Sequence, residues 1–271
     1  MKTNNKLASL LSLLISIIHI APFYLLITTS LKGFDDLSSK WLWPRRIDWT
    51  NFSSAWQEAN LGKAFTNNTI ITIVSLLFII LIGACASYPL ARFQTKFNKL
   101  LYTVFISALI IPPLTILVPL YQFFIDIHGM NTYWGIVVLH ITFNLPITIF
   151  LYTGFISTLP RELDEAAMMD GMSRIGLFFK MILPLLKPVT ATVLIMTGVG
   201  VWNDYQFSLF FLQKVEMRTV TVALATFFGP QSSNVGWVAA GSLIAVLPIT
   251  LLYLFLQRYF ITGLSSGAVK G

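Results

Sequence analysis

Six apolar runs, each about long enough to cross a bilayer, fix the fold class of this 271-residue chain before any motif is read. They cover residues 7–31, 66–90, 100–125, 132–156, 188–212 and 237–260. A spanning helix needs about 20 apolar residues, because the hydrocarbon core offers no water to pair with an open backbone. A soluble domain has no use for six such runs. A mean hydropathy of +0.76 and a charged fraction of only 11% agree. The expectation is an all-α polytopic membrane protein with six transmembrane helices. The first run follows Lys2 and Lys6, yet it is too long for a signal peptide and no small-residue cleavage site follows, so it reads as a retained anchor.

Positive residues orient the spans. A cytoplasmic N-terminus places Lys2, Lys6, Arg92, Lys96, Lys99, Arg161, Arg174, Lys180, Lys187, Arg258 and Lys270 inside, eleven of the 18 Lys and Arg residues. Five of the others (Lys32, Lys40, Arg45, Arg46 and Lys63) lie in the long first external loop, where the rule is weak and Asp35, Asp36, Asp48 and Glu58 accompany them. The net charge of +7 is therefore a topology signal and not a nucleic-acid footprint. The resulting plan has a cytoplasmic N-terminus (1–6), a transmembrane domain (7–262) and a cytoplasmic tail (263–271). The domain carries external loops at 32–65 and 213–236 and a cytoplasmic segment at 157–187.

Cysteine and histidine chemistry is sparse. Cys85 is the single cysteine, without an intrachain partner, and reads as a small buried hydrophobe. His19, His128 and His140 lack metal-ligand spacing. In the first external loop WLWPRRIDWTNFSSAW sets Trp41, Trp43, Trp49, Phe52 and Trp56 among polar residues, which suits a short helix along the outer surface or a partner contact. Prolines at 22, 89, 112, 113, 119, 146 and 248 favour bent helices and a transport path over a passive anchor.

Polar groups inside the fifth run are more telling. GVGVWNDYQ places Asn203 and Asp204 beside Trp202, Tyr205 and Gln206, and an acid within a span is costly unless it meets water or a partner. Counted from Pro188 at about 1.5 Å per residue, Asp204 lies roughly 24 Å above the inner surface, at an outward vestibule. Rings beside amide and carboxylate groups suit a sugar, whose C–H faces stack while its hydroxyls hydrogen-bond; hydrogen bonding between helices explains the same residues. Asn144 and His140 are weaker candidates for the path.

The segment ELDEAAMMDGMSRIGLFFKMILP, residues 162–184, interrupts the apolar pattern. Glu162, Asp164 and Glu165 suit the first turn of a helix, where the dipole favours negative charge. Asp170 and Gly171 end that helix, Gly171 through a left-handed conformation, and Ser173 caps a second one. In the second, Ile175, Phe178, Phe179 and Ile182 recur at helical spacing as one apolar stripe, and Pro184 stops it. A connector packed on its own domain and a docking knob for a partner both fit this bent pair.

Glu165, Ala166 and Ala167, then Gly171, then Leu183 and Pro184 resemble the EAA motif of importer-type ABC transporter permeases, with Met181 at the position usually held by isoleucine. The C-terminal LPITLLYLFLQRYFITGLSSGAVKG and the WND triplet resemble the MalG-like, carbohydrate-importing branch, and the similarity extends over nearly the whole chain. That resemblance implies the six-span type I importer permease fold and a role as one subunit of a larger machine. Its partners would be a second permease subunit, two ATPase subunits and an extracellular solute-binding protein, with ATP and Mg held by the ATPases and no cofactor on this chain. Residues Glu165, Ala166, Ala167, Asp170, Gly171, Leu183 and Pro184 would form the coupling helix region against an ATPase. The loop at 213–236 would meet the binding protein, and Gly263, Ser265, Gly267 and Lys270 of the tail would reach between the ATPases. Trp202, Asn203, Asp204, Tyr205 and Asn144 are the candidates for the sugar path.

The chain contains no GxxxxGK[ST] phosphate loop of its own, which agrees with a divided machine. A permease for a phosphorylated polyol or an amino acid shares the coupling motif. A secondary transporter would need several buried ionisable groups, and Asp204 is nearly the only acid in the spans. An intramembrane enzyme would need a nucleophile and base at membrane depth, and the sequence offers none.

Overall fold

The computed structural model describes residues 3–229 and 232–268. Among them, four helices are long and apolar enough to cross a membrane, and two bent helix pairs bring the number of spans to six when each pair counts as one. The chain divides into two compact units, residues 1–65 with 219–248, and residues 66–218 with 249–271.

The first unit begins with helix α1 (Thr3–Ser30), exposed from Leu7 to Ile20 and buried only near its C-terminal end, at Thr28 and Ser30. Its C-terminal end is closed by side chains. The amide nitrogen of Asn51 donates to the carbonyls of Ser30 (2.9 Å) and Lys32 (2.7 Å), and buried Lys32 Nζ donates to Ser38 Oγ (2.6 Å) and the Ser39 carbonyl (2.8 Å). Helix α2 occupies only Thr50–Glu58. The short helix expected within WLWPRRIDWTNFSSAW forms only in its second half, since Pro44 restricts the backbone and Asp48 Oδ1 accepts from both the backbone N–H (2.8 Å) and the hydroxyl (2.6 Å) of Thr50, so helix begins only there. Those two bonds, the hydroxyl first, hold the Asp48 carboxyl below its ordinary value of 3.8. The unit's core gathers Ala55, Leu61 and Ala64 with Val220 and Leu224 of α12 (Val220–Ala225) and Ala240 of α13 (Val235–Ala268). A two-residue hairpin, β1 (Phe228–Gly229) with β2 (Ser232–Ser233), precedes α13.

The second unit contains most of α3 (Leu61–Arg92) and the elements that carry the site. The third span breaks. Helix α4 (Lys96–Ser107), with its short continuation to Ile110, meets the segment Pro113–Asp126, which includes α5 (Leu117–Asp126), at 92°. Consecutive prolines explain this, because each pushes the residue before it out of helical geometry, and Ile111 and Pro112 are both extended. Helix α6 (Tyr133–Thr158) runs alongside α3. Gly83 faces Thr148 so closely that an added Cβ would collide with its methyl, and Ser87 Oγ donates to the Ile149 carbonyl at 3.3 Å. Cys85, expected in the core, lies on the exposed face of α3 because Gly83 and Ser87 take the packed one.

The helix inside the fifth apolar run is shorter than the run itself. Helix α10 covers Lys187–Trp202 and stops, and α11 (Gln206–Phe211) starts afresh. Asn203 Nδ2 folds back on the Val199 carbonyl (3.0 Å), while the Asp204 carboxylate accepts from the N–H of Phe207 (3.1 Å) and the N–H and hydroxyl of Ser208 (2.8 and 2.7 Å). Side chains that compete for backbone groups end one helix and cap the next, which hydropathy alone does not register.

Candidate functional site

Between α6 and α10 the chain builds the bent pair expected from its capping signals. Helix α7 (Glu162–Met169) carries Glu162, Asp164 and Glu165 in its first turn. It ends in a Schellman arrangement. The N–H of Gly171 donates to Met168 O (3.1 Å) and that of Met172 to Ala167 O (3.0 Å), with Gly171 at φ +80°. Ser173 Oγ then accepts from the Gly176 N–H (3.1 Å) and opens α8 (Arg174–Leu177).

Beyond α8 the structure departs from one regular apolar stripe. Residues Phe178–Ile182 form a π turn, followed by α9 (Leu183–Leu185) and a 71° bend into α10. Pro184 does not stop the helix. It lacks the N–H that would reach the carbonyl four residues back, and the wide turn before it makes room for its ring. That extra residue in the turn divides the stripe. Phe178 and Ile182 are buried with Leu177 among Tyr88, Tyr152 and Ile156, whereas Ile175 (73% exposed) and Phe179 (47%) face outward with Met169 (88%).

The candidate coupling residues distribute accordingly. Glu165, Ala166, Asp170 and Gly171 are exposed, Ala167 is buried in the core, Leu183 is half-buried against it, and Pro184 is exposed. An exposed rim of Glu165, Asp170, Met169 and Ile175 thus stands on a buried base.

One residue at this site carries no local sequence signal. Arg92, the last residue of α3, is buried, and its Nε lies 2.8 Å from Asp164 Oδ2 as an ion contact. Its Nη2 donates to Asp164 Oδ1 (3.2 Å), and its Nη1 donates to the carbonyls of Leu159 (2.9 Å) and Ile156 (3.2 Å). Tyr88 donates its hydroxyl to Asp164 Oδ2 at 3.3 Å. In sequence Arg92 is marked only by the positive charge count, as a cytoplasmic flank; its partner lies 72 residues away.

The candidates for the path fall into two places. Trp202 is buried, and its carbonyl accepts from Asn68 Nδ2 (3.1 Å); Asn203 and Tyr205 are exposed; the Asp204 carboxylate turns inward to cap α11 and stands 3.8 Å from buried His140 Nε2. Asn144 bonds back to the His140 carbonyl at 2.8 Å, within its own helix. On α3, Asn67 Nδ2 holds the carbonyls of Glu216 and Arg218 in the loop after α11 (both 2.9 Å), and its Oδ1 accepts from Tyr133 OH (2.7 Å). Gly263, Ser265 and Gly267 fall on the backbone of α13, and Lys270 lies outside the described residues. Among the described residues no group of three or more His, Cys, Asp or Glu is placed to hold a metal.

The family model described as "Binding-protein-dependent transport system inner membrane component" matches residues 79–266, which include the whole bent segment. The chain belongs to this family. It is 50% identical over 267 residues to the melibiose/raffinose/stachyose import permease protein MelC of Bacillus subtilis, covering 98% of this chain and 97% of that one. It is 33% identical to the probable starch degradation products transport system permease protein AmyC of Thermoanaerobacterium thermosulfurigenes, over 97% of this chain and 96% of the other. It is 31% identical to the multiple sugar-binding transport system permease protein MsmG of Streptococcus mutans, over 94% and 93%. Among solved structures, a chain of a bacterial ABC transporter involved in the import of alginate superposes with a TM-score of 0.82 at 17% identity, covering 96% of this chain and 97% of that one. The fold is that of the type I importer permease, and the chain is a membrane-embedded transport component.

Proposed function

We propose that this chain is the permease subunit of an ATP-driven importer that moves a sugar or oligosaccharide, delivered by an extracellular binding protein, across the plasma membrane of a prokaryote. The observation that carries the reading is the bent segment at residues 162–186, whose packed base and exposed rim suit a lever seated in a partner. Supporting it, the relatives named for sugar or oligosaccharide transport match nearly end to end.

In this reading a second permease completes the path, and two ATPase subunits hold ATP and Mg on the cytoplasmic side, where both termini of this chain also lie. The chain supplies no ATP site. Closure of the ATPases moves α7 and α8, and the spans exchange inward-open for outward-open states. The drive is effective only because each nucleotide state favours one transport state. Exposed Asn203 and Tyr205 are the side chains best placed to meet cargo, while Asp204 fixes the break that presents them. The test is uptake by proteoliposomes holding the full complex, offered melibiose, raffinose and stachyose. ATP-dependent accumulation that requires the binding protein supports the reading. Accumulation without ATP, or of none of these sugars while an amino acid or phosphorylated polyol is taken up, overturns the sugar assignment.

A further inference from the structure

We propose that Arg92 is the positioning residue through which α7 drives the membrane helices, so that the first half of the coupling segment moves α3 and α6 through an ionic clamp rather than through apolar packing. This rests on the reading of the chain as an importer permease.

The two halves of the segment are attached differently. From α8 onward, Leu177, Phe178, Ile182 and Leu186 are buried in the core with Tyr152, Ile156 and Val193. That half is held by large side chains. In α7 the sole buried residue is Ala167, whose single methyl offers little surface to push against. Asp164 is the other firm contact, its side chain 14% exposed against 5% for Arg92. Charge-assisted hydrogen bonds are roughly twice as strong as neutral ones, and an arginine fork fixes direction as well as distance. A force on α7 therefore reaches the spans mainly through Asp164 and Arg92.

Arg92 joins three chain ends at once. It terminates α3, where Asn98 Nδ2 separately takes the carbonyls of Pro89 (3.1 Å) and Phe93 (2.7 Å), so Arg92 is not needed to close its own helix. Its guanidinium instead takes the Leu159 carbonyl just past the end of α6, shares the Ile156 carbonyl with the Leu159 N–H (3.1 Å), and adds a long contact to Pro160 O at 3.4 Å. The remaining donors face the carboxylate on α7. Because α3 and α6 already pack tightly at Gly83 and Ser87, the clamp makes α7 move both helices as one body. A buried ionisable group at the end of a spanning helix is expensive, and here its partner lies on the lever itself.

The chemistry separates arginine from lysine. A lysine keeps the charge but gathers its three donors on one nitrogen, and so cannot reach the carboxylate from one edge and the Ile156 and Leu159 carbonyls from another as the planar five-donor guanidinium does. Arg92→Lys and the isosteric Asp164→Asn are compared with wild type as full complexes in proteoliposomes, reading ATP hydrolysed, sugar imported and the amount of assembled complex. Coupling between sites typically spans about five- to 150-fold, so both variants should lower sugar imported per ATP by at least about fivefold while hydrolysis persists. The double variant should be no worse than the poorer single one, since both cut the same contact. A wild-type ratio in either assembled variant overturns the proposal. So does a loss of import and hydrolysis in strict proportion to the amount of complex, which marks the clamp as purely structural. If Arg92→Lys does not assemble, Asp164→Asn decides alone. A wild-type complex that imports sugar without hydrolysing ATP would instead reject the importer reading, which the same assay shows separately.

Discussion

Gly171→Val tests the geometry of the lever with a calculable perturbation. Gly171 sits at φ +80°, and a Cβ built there meets nothing within 4 Å, so the cost is conformational and not steric crowding by neighbours. A left-handed conformation costs an L-residue about 1–2 kcal/mol, and β-branched residues fall at the upper end or beyond. The bent form then loses about 2 kcal/mol, roughly a 30-fold shift in its population against forms with the turn opened. Opening the turn releases the bonds from Gly171 to Met168 and from Met172 to Ala167, and separates the exposed rim from its base. The assay is sugar uptake and ATP hydrolysis by the assembled complex, with Gly171→Asn as the milder case because asparagine tolerates this region. Uptake should fall steeply for valine and less for asparagine, at normal complex yield. Undiminished uptake by the valine variant, with normal assembly, would refute the reasoning.

Two further perturbations address other parts of the chain. Asp204→Ala removes the cap of α11 and should destabilise the complex by about 1 kcal/mol, the usual cost of a lost N-cap, seen as a lower thermal midpoint, whereas Asp204→Asn retains most of it; equal midpoints for wild type and alanine would refute the capping role. Acid should loosen the loop between α1 and α2. The Asp48 carboxyl is held below 3.8 in the fold by Thr50, so its contribution is complete above 3.8 and is lost as pH falls through the lowered folded value. Tryptophan fluorescence of Trp41, Trp43 and Trp49 should report that release, and Asp48→Asn should weaken its pH dependence, the remainder belonging to Asp36, whose carboxyl the Ser38 hydroxyl also holds low.

What sequence reveals of this molecule divides by range of interaction. The bent segment was legible because its determinants are local: acids in a first turn, Gly171 at a left-handed position and Ser173 three residues before the N–H it accepts. The six apolar runs were legible because lipid imposes length. The break at Pro112 and the division at Asn203 and Asp204 lie inside runs whose hydropathy never drops for long, and hydropathy counts transfer energy without seeing capping. The π turn before Pro184 shifts which residues face out, so that a regular spacing put Ile175 and Ile182 on one face when one is exposed and the other buried. Arg92 and Asp164 were both visible as charges, but a contact across 72 residues leaves no periodic trace.

The central claim is that the exposed rim of the bent segment seats in an ATPase subunit and that this seat must move. Met169 is 88% exposed on that rim, and Cys85 is the sole native cysteine, so Met169→Cys in a Cys85→Ala background gives a single thiol at the proposed contact. Bridging it to a cysteine on the ATPase surface should yield a cross-linked pair, halt uptake, and restore uptake on reduction. Efficient sugar uptake by a complex in which no position on the rim can be cross-linked to the ATPase would contradict the account.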